Sequence, residues 1–252
     1  MTLYLIGLGL STEKDISLRG LDAVKKCSKI YLEDYTSLMS CKVADLEKFY
    51  GKKIILAGRE KSEQGAEQIV LEAKKLDVAF LIVGDPFSAT THIELLHLAF
   101  DNKVKVEVIH NASILNAVGI TGLQLYKFGK TASIPFSENV ALPVGPFQIL
   151  KENIAVGAHT LFLLDLNPAS GKFLKISEAL DILLKVQQSQ KEKIINSNTL
   201  VVGCARLGST DYCIKSGSLE KVKIFDFGSA PYCLIIPGKM HFLEEEMLEY
   251  WK

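Results

Sequence analysis

The sequence predicts an α/β protein with largely parallel strands, and three observations carry that expectation. Short β-branched and apolar runs recur along the chain, separated by stretches whose apolar residues fall at helical spacing. Several of these runs stop abruptly at glycine, proline or a polar residue, as strands do when they end at the rim of an open sheet. At 252 residues and 48% hydrophobic content, the chain can fill the core of one large domain or two modest ones.

In the first half, strands are expected at Leu3–Gly7, Lys29–Leu32, Lys53–Ala57, Val78–Val83 and Val104–Ile109, with helices over Glu67–Lys75 and Thr91–Phe100. The second half repeats the style less regularly. Strands are expected there at Thr160–Leu164, Thr199–Cys204, Lys223–Phe225 and Cys233–Ile236, with helices near Phe147–Val156, Ile176–Val186 and Phe242–Tyr250. A boundary is expected close to His110–Ser113, where the helical pattern ILNAVGITGLQLY begins, giving lobes 1–112 and 113–252. The stretch Pro135–Pro146 holds three prolines and reads as irregular, and Gln187–Asn198 reads as a frayed helix end plus a solvated loop.

Composition excludes several functions. Twenty-nine basic residues balance twenty-nine acidic ones, so the chain has no long-range field for a nucleic acid or an acidic membrane. No apolar run reaches the ~18 residues of a membrane span. The stretch Leu3–Leu10 lacks a preceding basic segment and reads as structure rather than a targeting signal. The five cysteines, Cys27, Cys41, Cys204, Cys213 and Cys233, are scattered and never spaced C-x-x-C, which argues against a disulfide framework or thiolate zinc and suits a reducing cytoplasm. His92 and His97 are five residues apart, so a helix turns them to different faces, whereas a zinc helix needs i and i+4; no metal is expected.

The strand ends YLIGLGLS, AFLIVGDPFS, TLFLLDLNP, LVVGCARLGS and CLIIPGK should converge on one site, because open parallel sheets bind ligands beyond the carboxyl ends of their strands. Gly7-Leu8-Gly9, with Glu33 ending the second strand, invites a dinucleotide reading, but Thr12 stands where the third glycine belongs. There is no GK[ST] phosphate loop and no G-x-S-x-G elbow. Gly84-Asp85-Pro86 is more telling: glycine permits close backbone approach, aspartate presents a carboxylate, and proline fixes the chain before the hydroxyls of Ser88 and Thr90. A purely structural turn would look the same, and both readings stay open at this point.

Seven ordered blocks spanning the chain resemble the diphthine synthases of the tetrapyrrole methylase superfamily. They are YLIGLGL at Tyr4–Leu10, LEDYTSLM at Leu32–Met39, GDPFSATTH at Gly84–His92, HNASILNAVGITGLQLYKFGK at His110–Lys130, HTLFLLDL at His159–Leu166, ARLGS at Ala205–Ser209 and DFGSAPYCLIIPGKMHF at Asp226–Phe242. The resemblance implies a class III methyltransferase of two αβα lobes with mainly parallel sheets, a cleft between the lobes for S-adenosyl-L-methionine, and a homodimer. It implies as substrate the translation elongation factor 2, one histidine of which carries a 3-amino-3-carboxypropyl group whose amine is methylated to diphthine; in the eukaryotic branch the carboxylate is methylated as well. A methyltransferase of small tetrapyrroles and a nucleotide-binding module without turnover are the alternatives. Carried over position by position, the cofactor contacts are Leu10, Asp85, Ser88, Ser113, Ile114, Leu164, Leu207 and Tyr232. Leu207 and Tyr232 depart from the family pattern, which has a small residue and a histidine there, so any contact they make is expected through backbone.

Methyl transfer from a sulfonium turns a charged donor into a neutral thioether, so strong stabilisation of the sulfonium would favour the ground state. Asp85 is therefore expected at the ribose or ammonium end, with Leu10 and Ile114 shaping a dry slot that aligns nucleophile, methyl and sulfur. The attacking amine must first lose a proton. His110, Asp165 and His159 stand at or near strand ends, but the sequence alone assigns none of them that task. Tyr126 and Lys127 are equally readable as substrate contacts and as surface packing.

Overall fold

The structure is a computed structural model that describes residues 1–34, 38–58, 65–137 and 142–252. Tyr35–Ser37 of the LEDYTSLM block and part of the Pro135–Pro146 stretch lie outside the described residues. Two compact units divide the chain, Met1–Ala117 and Val118–Lys252. The division falls five residues beyond the 112/113 boundary expected from sequence. The short helix Ile114–Ala117 stays with the first unit, where Ser113 caps it: the Ser113 hydroxyl accepts from Leu115 N–H at 3.2 Å.

The first unit is built on a five-stranded, wholly parallel sheet in the order β3-β2-β4-β1-β5. The strands are β1 (Thr2–Gly7), β2 (Lys29–Glu33), β3 (Ile55–Ala57), β4 (Val78–Ile82) and β5 (Lys105–Ile109). Every residue of the central β4, VAFLI, is buried, as a strand covered on both faces must be. Alternation splits the side chains into two cores. Leu3, Leu5, Phe80 and Ile82 pack with Ile69, Val70 and Ala73 of helix Ala66–Ala73 and with Leu95 and Ala99 of helix Ile93–Asp101. Ile6, Ile30, Leu32 and Leu81 pack with Ala23 and Val24 of helix Leu18–Lys26 and with Leu46 and Tyr50 of helix Val43–Tyr50. Each fully buried side chain of this size contributes roughly 1.5–3 kcal/mol.

The helices Leu18–Lys26 and Val43–Tyr50 were not expected. Their ends are nonetheless chemically marked. Ser17 caps the first by accepting from Gly20 N–H at 3.1 Å, and Gly51, at φ 68°, closes the second by donating to the Glu47 carbonyl. Strand β3 is shorter than the expected Lys53–Ala57, because Glu47 ties its leading residues to the preceding helix: it accepts from Ile54 N–H at 3.0 Å and pairs with Lys53 at 2.8 Å.

The second unit corrects the expectation of mainly parallel strands. Its sheet runs β11-β10-β12-β7-β6, comprising β6 (Ala132–Ile134), β7 (Thr160–Leu164), β10 (Leu200–Ala205), β11 (Cys213–Ser218) and β12 (Tyr232–Ile236). Only β6 and β7 pair in parallel; the other three ladders are antiparallel. The loop from β10 to β11 contains no helix to carry a crossover, so the chain reverses there. A two-stranded hairpin, β8 (Leu166–Asn167) with β9 (Lys172–Phe173), follows β7. One core joins Ile134, Phe162, Leu164, Val201, Leu234 and Ile236 to Phe147 and Leu150 of helix Val144–Ala155 and to Leu180, Leu183 and Val186 of helix Ile176–Ser189.

The expected strand Lys223–Phe225 is also corrected. The chain forms a helix over Leu219–Lys223, capped by the Ser218 hydroxyl, and then a loop. Leu219 and Val222 are buried at the i, i+3 spacing of a helix face, whereas Ile224 is 84% exposed. No helix among the described residues is long and apolar enough to cross a membrane.

Candidate active site

Two strand ends of the first unit are clamped together by glycines. After β1 and β4, Gly9 and Gly84 form an antiparallel bridge, with Gly84 N–H donating to the Gly9 carbonyl at 2.7 Å and Gly9 N–H returning to Gly84 at 3.2 Å. Both have positive φ, 80° and 81°. Gly7 is needed for a different reason: a Cβ there would stand 2.6 Å from the Gly84 carbonyl oxygen and 2.9 Å from Asn111 Cβ. The G-x-G of the first loop thus accommodates the neighbouring turn. Asp15 closes that loop by accepting from Ser11 N–H at 2.7 Å and Thr12 N–H at 3.1 Å.

Asp85 organises the turn after β4 and the segment after β5. One carboxylate oxygen accepts from Phe87 N–H at 3.0 Å and from the Ser88 hydroxyl at 3.1 Å; the other meets His110 Nδ1 at 2.7 Å and accepts from Asn111 N–H at 3.2 Å. Burial alone would raise its pKa, yet these donors hold the carboxyl below the usual aspartate range. Asn111 extends the network by donating to the carbonyls of Gly7 and Asp15, both at 3.0 Å.

An ionised carboxylate only accepts, so the Asp85 contact places the proton of His110 on Nδ1. The neutral ring then carries its lone pair on Nε2. The His110 side chain is 67% exposed, with the ring of Phe87 beside it at 6.2 Å between centroids. This Asp–His pair has the arrangement of an oriented general base.

The expected site residues of this unit gather here. Around Gly84, a hypothetical Cβ would lie 3.9 Å from Leu10 Cδ2, from the Ala112 carbonyl oxygen and from Ser113 Cα. That is ordinary contact distance, so the bare glycine leaves a cradle that a side chain would fill. Apolar carbon and a main-chain carbonyl thus flank the space beside Gly84, and the buried Asp85 carboxylate is next in the chain. Ser88 donates to Asp85, Ser113 is buried, and Ile114 opens the helix that follows.

The three expected residues of the second unit share one sheet edge. Leu164 ends β7, Tyr232 opens β12 opposite Ala205, and Leu207 follows β10. Leu164 and Leu207 are buried, and Leu164 is part of the core. The Tyr232 hydroxyl donates to the Gly228 carbonyl. Arg206, at φ 52°, holds this edge by donating to the Phe227 carbonyl at 2.9 Å and to Asp211 Oδ2 at 2.8 Å.

A second carboxylate–histidine cluster, which sequence reasoning missed, centres on Glu244. It accepts from Gln124 N–H at 2.8 Å, His241 N–H at 2.7 Å, His159 Nε2 at 3.0 Å and the Lys127 ammonium. Burial opposes its ionisation, but these donors draw its carboxyl down to about 2. His159 is fully buried, and its Nδ1 accepts from Gly238 N–H at 2.9 Å, leaving neither nitrogen for chemistry. Burial pushes its pKa down. Asp165 is likewise occupied, accepting from Phe136 N–H at 3.2 Å and Leu166 N–H at 3.0 Å. Lys127 is tied into the Glu244 cluster, whereas Tyr126 is 82% exposed.

Comparison with known proteins gives a consistent result. Residues 2–223 match the family described as Tetrapyrrole (Corrin/Porphyrin) Methylases. The chain is 47% identical to an Arabidopsis thaliana protein named "Probable diphthine methyl ester synthase", covering 99% of this chain and 98% of that one. It is 43% identical to the diphthine methyl ester synthase of Dictyostelium discoideum, covering 100% and 98%. Among solved structures, one titled "Crystal structure of diphthine synthase" superposes with a TM-score of 0.91 at 34% identity, covering 100% of this chain and 96% of that one.

Proposed function

The chain belongs to the diphthine synthases of the tetrapyrrole methylase family and is a methyltransferase; from that premise we propose its donor, substrate and site. The donor is S-adenosyl-L-methionine. The substrate is translation elongation factor 2 whose histidine bears a 3-amino-3-carboxypropyl group; the amine is methylated to diphthine and the carboxylate to the methyl ester. The observation that carries this reading is the likeness to diphthine methyl ester synthases over essentially the whole chain. The corrin or porphyrin alternative has only the breadth of the family description behind it. We assign the chain to the cytoplasm as a homodimer.

The donor supplies a methyl group on a positively charged sulfur. The chain's own part is to hold and align. Leu10, Gly84, Ala112 and Ser113 of the first unit offer an apolar and main-chain surface, with Ile114 next in the chain; Leu164, Leu207 and Tyr232 are donor contacts only as the family resemblance implies them. Every oxygen of Asp85 is already engaged by its own loops, so its main task in this reading is to fix the cradle, with any direct ligand contact added to those bonds. Such alignment is the largest contribution that a site without a strong electrostatic demand can make.

The test is incubation with a methyl-labelled donor and elongation factor 2 carrying the carboxyaminopropyl histidine. Label on that histidine is expected. Donor binding without label on the factor would overturn the substrate and leave the family standing.

A further inference from the structure

We infer that His110 is the catalytic base that takes the proton from the substrate amine, and that Asp85 is its positioning residue. The inference rests on the proposed amine substrate and deepens it. Three strand-end residues compete for the role. His159 has both nitrogens committed and no exposed surface, and both oxygens of Asp165 accept from backbone amides. His110 alone of the three combines an exposed ring with a carboxylate at 2.7 Å that leaves the Nε2 lone pair available. It also follows β5 directly and is two residues before Ala112, whose carbonyl lines the Gly84 cradle. The Asp85 carboxylate and the Phe87 ring both face the imidazole.

The chemistry separates the two nucleophiles of the substrate. A primary alkylamine is protonated at neutral pH. His110 Nε2 removes one proton; the freed nitrogen lone pair forms a bond to the methyl carbon as the carbon–sulfur bond breaks and its electron pair stays on sulfur. The imidazolium then returns its proton to water. Each further methyl on nitrogen releases one more proton, until the quaternary ammonium has none to give. A carboxylate is already deprotonated, so forming the ester releases no proton and needs no base.

Two substrates therefore read the role directly: the factor with its carboxyaminopropyl histidine, and the factor whose amine is already trimethylated, where only the carboxylate can react. For His110→Gln, methylation of the free amine is expected to fall about 10²- to 10⁴-fold, while ester formation on the trimethylated substrate falls only a few-fold. Donor affinity by calorimetry should change less than about threefold, a readout independent of turnover. In His110→Ala, added imidazole should restore part of the amine rate, and raising the pH should narrow the gap to wild type by freeing the amine in solution. Equal losses on both substrates, or an unchanged amine rate, would overturn the base assignment. A wild-type protein that binds donor yet modifies neither substrate would instead remove the substrate reading, and the base with it.

Discussion

Asp85 with His110 and Glu244 with His159 are the same chemical pair in two settings. Each carboxylate is buried, collects four donors and touches one imidazole, at 2.7 and 3.0 Å. They differ in what surrounds the imidazole. His159 is buried, with its second nitrogen accepting from Gly238 N–H, so the pair is a knot tying residues 124–127, 159 and 238–244 together. His110 is two-thirds exposed, and its second nitrogen has no hydrogen-bond partner among the described residues. A carboxylate–histidine contact is thus no mark of catalysis by itself; the fate of the other ring nitrogen decides.

The contrast breaks most visibly at Glu244. Glu244→Ala strands the Lys127 ammonium, the buried His159 N–H and two backbone amides, and is expected to cost about 3–5 kcal/mol, measured by urea unfolding. His110→Gln removes one exposed donor of the four to Asp85 and should cost about 0.5–1.5 kcal/mol in the same experiment. Comparable losses at both positions would erase the distinction between knot and open pair.

Acid should act on the knot in two stages. His159 has a depressed pKa, so below the ordinary imidazole value of 6.5 the unfolded chain takes up protons that the native state refuses, and stability falls as the pH drops. Glu244, at about 2 when folded, contributes stability that is fully present above its ordinary 4.5 and is lost as the pH falls through about 2. Urea midpoints at pH 7.5, 5.5 and 3.5 should therefore decline in that order, and Glu244→Gln should flatten the lower part of the curve.

Two glycines sharpen the open side of the comparison. Gly7→Ala drives a methyl group to 2.6 Å from the Gly84 carbonyl and should cost about 1–3 kcal/mol of stability. Among the described residues Gly84→Ala meets no atom closer than 3.9 Å, so it carries the strain of its φ of 81°, about 1–2 kcal/mol. Ser88→Ala, which like His110→Gln removes one of four donors to Asp85, should also cost only about 0.5–1.5 kcal/mol.

The sequence made the first unit more legible than the second, for physical reasons. Doubly covered parallel strands are continuous apolar runs, so VAFLI and YLI announce themselves. In the second unit, β11 reads CIKSGS, with a buried Ser216 and a Gly217 that break any pattern, and β6 is a three-residue strand too short to show one. An apolar run also carries no strand direction, so the antiparallel ladders could not be foreseen. Helix Leu18–Lys26 buries only Gly20, Ala23 and Val24, too small a stripe to stand out. At the site, the GDP turn was visible as a motif, but the pairing of Asp85 with His110 joins residues 25 apart, and that of Glu244 with His159 joins residues 85 apart. No spacing rule reaches across such separations.

The account depends most on the Gly84 cradle as the seat of the methyl donor. Titration calorimetry with S-adenosyl-L-methionine on wild type and on Gly84→Ala tests this directly, with a melting curve to show that the variant is folded. The account predicts saturable binding to wild type and at least a tenfold weaker affinity in the folded variant. Equal affinity in the two proteins would place the donor elsewhere and contradict it.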